Sequence, residues 1–183
     1  MKLEAVYFVP RGEILKPRAI SGIMWALSRC QTFYLKEARV LLNWSLAPSP
    51  VLGAHTQEHY KASWELLLEE AMQSASPEAQ VVGMFYEGDL PRSAFGGGNG
   101  ERGYFVIARP YVGQLEYKVG DSVVAHEIGH ALGLPDSKDN FSIMGAGWQW
   151  GGLRRTVIFP RHRAHLKRED REKLGGIEAR RWT

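Results

Sequence analysis

The stretch His126-Glu127-Ile128-Gly129-His130-Ala131-Leu132-Gly133-Leu134-Pro135-Asp136 decides how the rest of the chain is read. On a helix, residues four apart stand one turn above each other on one face, so His126 and His130 can aim both imidazoles at one metal ion. Glu127, beside the first histidine, reaches the same side and can act as general base, taking a proton from water and handing it to a leaving amine. The helix must then stop and the chain turn back, and Gly133 can take the left-handed conformation such a turn needs. Asp136 follows three residues later as a third ligand. Two imidazoles and a carboxylate leave zinc an open fourth position, as hydrolysis requires. The same ligand set also suits iron and other divalent ions, and zinc is preferred because Glu127 then has a hydrolytic task.

Taken with Ser142-Ile143-Met144-Gly145, the His-Glu-x-x-His-x-x-Gly-x-x-Asp pattern resembles the metzincin clan of zinc metalloproteases, specifically its snapalysin-type branch, in which Asp replaces a third His. The segments Gly100-Glu101-Arg102-Gly103-Tyr104-Phe105-Val106-Ile107 and Ala125-His126-Glu127 are similar to that family too, so the resemblance spans about residues 84 to 146. It implies that Met144 forms a hydrophobic floor beneath the metal. It also implies that the strand Tyr104, Phe105, Val106, Ile107, Ala108 borders the cleft and pairs with an extended peptide. Trp148 and Trp150 fall where the family builds a wall of its specificity pocket, and they fit packing within the core or a loop equally well. The chain has Ala146 where many metzincins carry a Tyr, and Lys138 where the snapalysin-type segment has another. The group that stabilises the transition state alongside zinc is therefore left unassigned.

At 183 residues, with 44% hydrophobic and 11% aromatic content, the chain suits one domain with a packed core. A net charge of +3 is too mild to argue for nucleic acid. The single cysteine, Cys30, excludes an internal disulfide framework and leans toward a reducing, cytoplasmic compartment. No apolar run approaches the roughly 18–20 residues that cross a bilayer, and Met1 to Val9 lacks the long apolar centre of a signal peptide. Were a leader removed upstream, a secreted location would follow. The expected partner is a peptide or protein substrate, with no nucleic acid, no membrane and no second subunit.

Along the chain, Leu3–Val9 reads as a buried strand, and Pro17 opens a helix with Ile20, Ile23, Met24, Leu27 and Tyr34 at helical spacing. A second strand is expected over Arg39–Leu46, closed by Pro48-Ser49-Pro50. A second helix is expected over Thr56–Met72 with Thr56 as its cap, then strands over Val81–Tyr86 and Tyr104–Ala108. The run Phe95-Gly96-Gly97-Gly98-Asn99-Gly100 reads as a flexible loop; it lacks the spacing of a phosphate or dinucleotide loop. Asp121 is the expected N-cap of the zinc helix, and a strand over Thr156–Phe159 and a helix over about Lys167–Leu174 close the chain. The fold class is α/β (α+β): a metzincin-like zincin domain over 1–183, with a mixed twisted sheet, an active-site helix beneath it and a smaller C-terminal part. Within it, 1–37 is a strand plus helix, either integral or an N-terminal addition, 38–136 holds the sheet and zinc helix, and 137–183 carries the Met-turn and final helix.

Three other features of the sequence have ordinary structural readings. His55-Thr56-Gln57-Glu58-His59 spells the inverted zinc motif, but His55 falls at or before a helix start, so the pair need not share a face. Cys30 lacks a propeptide-type latency motif around it and reads as a small buried thiol. The basic residues Arg154, Arg155, Arg161, Arg163, Lys167 and Arg168 are diluted by Glu169, Asp170 and Glu172, which favours a solvated face. The expected activity is a zinc-dependent endopeptidase with one Zn2+. The alternative is a zinc-containing binding or regulatory protein with little peptidase activity.

Overall fold

The computed structural model describes residues 1–98, 102–139, 142–145 and 165–179. The strand expected over Thr156–Phe159, Trp148 and Trp150 lie outside the described residues. The elements run β1 (Lys2–Val9), α1 (Pro17–Ala38), β2 (Asn43–Leu46), β3 (Val51–Leu52), α2 (Gln57–Ala62), α3 (Trp64–Ser74), β4 (Val81–Tyr86), β5 (Ala94–Gly98), β6 (Gly103–Ile107), α4 (Arg109–Leu115), α5 (Asp121–Ala131) and α6 (Arg168–Ala179). The strands form one mixed sheet in the order β2-β1-β4-β6-β5, with β3 also on β1. All pairings are parallel except β5 with β6.

The alternation of a strand side chain between two faces divides the core in two. From β1, Leu3, Ala5, Tyr7 and Val9 join Phe85, Phe105 and Ile107 under α1, α4 and α5. Val6 and Phe8 join Met84, Tyr86 and Val106 under α2 and α3. Strands buried on both faces read as near-continuous apolar runs, which is why β1 and β4 were visible in the sequence. Helix α1 lays Ala19, Ile23, Leu27, Cys30 and Tyr34 on the core, while Met24 points outward at 45% exposure. The Tyr34 hydroxyl donates to the Ala125 carbonyl at 2.7 Å, fixing α5 against α1.

Several element boundaries differ from expectation for identifiable reasons. Helix α1 continues through Ala38 and ends on Arg39 in the left-handed region, so β2 is confined to Asn43–Leu46. After the two prolines the chain returns to the same edge of β1 as β3. The long second helix breaks at Ser63 (φ −141°, ψ 72°) into α2 and α3, and Thr56 occupies the N-cap position without a side-chain bond. Phe95 to Gly98 of the glycine run belong to β5 (Ala94–Gly98), an edge strand among the described residues rather than a loop. Helix α4, seven residues long, is an element for which the sequence gives no expectation. Gly120 (φ 89°) takes the cap position of α5, which leaves Asp121 as the first helical residue, ion-paired to Arg29 at 3.3 Å.

Candidate metal centre

Helix α5 carries His126 and Glu127 at 4% and 6% exposure, in the middle of the helix and against the sheet. Gly133 adopts φ 81°, and the turn it makes returns Asp136 toward the two histidines. His126 Nδ1 lies 2.8 Å from the Ile143 carbonyl oxygen, and His130 Nδ1 lies 2.9 Å from that of Leu134. A carbonyl only accepts, so each Nδ1 must carry the proton and donate it. Each Nε2 of the neutral rings then presents a lone pair, and the two Nε2 atoms face each other at 3.0 Å. Two lone pairs at that separation repel unless they share a cation, and a carbonyl accepting from the far nitrogen is the usual support of a metal-bound histidine.

Asp136 Oδ1 completes the triangle, 3.5 Å from His126 Nε2 and 3.6 Å from His130 Nε2. Tetrahedral zinc with ligand bonds of about 2.0–2.1 Å separates its ligand atoms by roughly 3.3 Å, so the three donors fit one ion. A Glu127 carboxylate oxygen and the two histidine nitrogens lie within 4.8 Å of one another. Among the described residues, His126, Glu127 and His130 are the one such group. His55 and His59 instead stack ring on ring at 4.3 Å, with His55 Nε2 3.9 Å from Glu70.

Met144 is fully buried beneath α5. A Cβ on Gly129 would come 2.2 Å from its sulfur, so the helix turn between the two histidines rests on the thioether. The hydrogen bond from the Ser137 amide to the Met144 carbonyl (2.6 Å) ties this turn to the segment carrying Asp136. The Cys30 thiol points at the Asp121 carbonyl, 3.6 Å away, and burial pushes its pKa well up; it is a packed, protonated thiol.

The strand assigned to substrate needs correction. Tyr104, Phe105, Val106 and Ile107 of β6 pair on both sides, with β4 and with β5, and Ala108 follows as the N-terminal boundary of α4. No free edge remains on β6, because the glycine run occupies it. Among the described residues the free edge belongs to β5, and β5 borders the His126, His130 and Asp136 group. A cleft of about 600 Å³ is lined by Ala94, Phe95 and Gly96 on one side and by Glu127, His130 and Asp136 on the other. Gly96 permits this approach: a Cβ there would lie 2.5 Å from the Glu127 carbonyl oxygen and 3.1 Å from His130 Cβ. Arg92, Ser93 and Tyr111 also line the cleft. Sequence reasoning missed all three, and the one signal was for Tyr111: Pro110 in the first turn of the short helix that bears it.

No protein-family model matches the sequence, and no curated protein matches it significantly. Solved structures do resemble it. Archaemetzincin from Methanopyrus kandleri superposes with a TM-score of 0.57 at 16% identity, over 98% of this chain and 96% of that one. Metalloproteinase-II from Bacteroides fragilis gives 0.58 at 13% identity, over 96% of this chain and 52% of that one. Catalytically inactive OgpA from Akkermansia muciniphila, solved with an O-glycopeptide substrate, gives 0.55 at 16% identity, over 93% and 58%. The mixed sheet and its helices therefore share their fold with these structures, and α5 carries the His126-Glu127-His130 cluster.

Proposed function

We propose that this protein is a zinc-dependent endopeptidase. The observation that carries the reading is the pair of Nε2 atoms held 3.0 Å apart by two Nδ1–carbonyl bonds, with the Asp136 carboxylate closing the triangle. His126, His130 and Asp136 would hold the metal. When bound there, zinc supplies Lewis acidity, polarising a scissile carbonyl and acidifying water toward a pKa of about 7. Glu127 accepts the proton of the attacking water as its oxygen adds to the carbonyl carbon. The same carboxyl then donates that proton to the amine nitrogen as the C–N bond breaks. Tyr111 and Arg92 bring hydrogen-bond donors to the cleft and fill the role left open by Ala146 and Lys138, stabilising the developing oxyanion.

The substrate backbone pairs with the free edge of β5. Such pairing gives affinity through main-chain hydrogen bonds and requires an extended, accessible segment. The metallopeptidase fold of the structural neighbours supports the reading.

Metal content and cleavage of a quenched casein-like substrate, measured on wild type and Glu127→Gln in parallel, test it. The expected result is one zinc per chain in both, with turnover reduced about 10²- to 10⁴-fold in the variant. Stripping zinc with a chelator should lower the melting temperature, and re-adding it should restore the temperature, because the ion binds the folded state alone. Equal cleavage by both proteins would overturn the mechanism. Stoichiometric zinc with no turnover in wild type would favour a binding role.

A further inference from the structure

Among the described residues, a second cavity shares the edge strand with the metal cleft. On the opposite face of the sheet this cavity of about 470 Å³ lies among Trp64, Leu90, Phe95 and Tyr104, and Arg92, Phe95 and Gly96 line both it and the cleft. Its volume falls within the roughly 300–1,000 Å³ typical of ligand pockets, and its walls are largely aromatic. Trp64 meets Phe95 edge to face, with ring centroids 5.2 Å apart. The break at Ser63 makes Trp64 the first residue of α3, at the end of the helix that faces β5.

Register shows how the two cavities are related. In β5, Gly96 faces α5, since its missing Cβ would strike the Glu127 carbonyl and His130. Phe95 and Gly97 therefore face the other way, paired with Val106 and Tyr104 of β6. Gly97 has no side chain to cover its neighbours, and a Cβ there would lie 3.3 Å from the Tyr104 hydroxyl. The aromatic surface of Phe95 and Tyr104 is thus left open beside the strand's free edge.

A peptide added to that edge must obey the same alternation. When one of its side chains enters the metal cleft, its immediate neighbours project to the opposite face, about 5 Å from the side chains of β5. The geometry points to the Trp64–Phe95–Tyr104 cavity as a specificity subsite for a large apolar or aromatic side chain of an extended peptide substrate, next to the residue that enters the cleft. This inference rests on reading the α5 cleft as a peptide-cleaving site.

The test uses fluorescein-labelled peptides of one sequence, scanned at each position with Ala, Leu, Phe and Trp. Cleavage is measured with wild type, and binding by polarisation with zinc-loaded Glu127→Gln. At one position Phe or Trp should exceed Ala by ten-fold or more in both readouts, the scale of burying an aromatic side chain. Trp64→Ala and Tyr104→Ala, which remove walls contributed by different elements, should each shrink that ratio to about two-fold or less; zinc content and melting temperature report whether they fold. A ratio that survives in both folded variants, or cleavage with no aromatic preference at any position, overturns the subsite and leaves the peptidase reading standing. Aromatic-selective binding without cleavage by wild type sinks the peptidase reading and leaves the cavity a peptide-binding pocket rather than a substrate subsite. Peptides neither bound nor cut sink both.

Discussion

At the scale of single residues, the site is a problem in lone-pair placement. His126 and His130 are recognisable in sequence because helical spacing alone puts them on one face. Their tautomers are not, because the carbonyls of Ile143 and Leu134 that fix them come from segments whose path depends on the turn at Gly133. Tyr111 was illegible for a related reason: it reaches the cleft from α4, a seven-residue helix too short to show a periodic apolar stripe. Tyr111→Phe should lower kcat about 10²-fold or more, the usual cost of losing one oxyanion donor, with zinc content and melting temperature unchanged. Unchanged kcat with a raised KM would show that the phenol only binds substrate.

At the scale of elements, β5 holds the main lesson. Glycine is disfavoured in strands because it adds no packing and loses the most backbone freedom, so Phe95-Gly96-Gly97-Gly98 carries no local strand signal. Its strand character is tertiary: β6 offers a free edge, and the absence of side chains lets the strand lie against the carbonyl of Glu127. Gly96→Ala places a methyl where 2.5 Å is available, so β5 must move away from α5 or the helix must shift. We expect a loss of about 1–3 kcal/mol in stability by denaturant titration, together with a fall in kcat/KM. Wild-type stability in Gly96→Ala would mean that β5 is not held against the helix.

For the molecule as a whole, strand identity was more legible than strand order. The apolar runs of β1 and β4 announce burial on both faces, but which strands neighbour each other is decided by the crossover helices and by which edge remains open. Stability also carries a pH signature at the docking of α6. Asp170 is 9% exposed there, and burial raises its carboxyl pKa, with Lys167 partly opposing the shift. The native state thus holds this proton to higher pH than the unfolded chain does. As pH rises from the ordinary Asp range of about 3.9 through the raised value, the unfolded state binds fewer protons than the native one and stability falls. Asp170→Asn, which cannot ionise, should be more stable than wild type at neutral pH, with the gap closing below about pH 4. Melting temperatures of both proteins across pH check this; their difference cancels the loss of metal that acid also causes. A pH-independent difference would rule out ionisation as its cause.

The position of β1 inside the sheet bears on how the protein is born. Leu3 pairs with Val81 on one side, a partner 78 residues further along the chain. At about 5–20 residues per second, a ribosome delivers that partner roughly 4–16 seconds after β1 is made. Throughout that interval a strand with both faces apolar has at most its β2 and β3 edge satisfied. The nascent chain therefore presents a sticky, half-paired segment for most of its early synthesis, and its yield in a cell should depend on chaperones that shield such segments until β4 arrives.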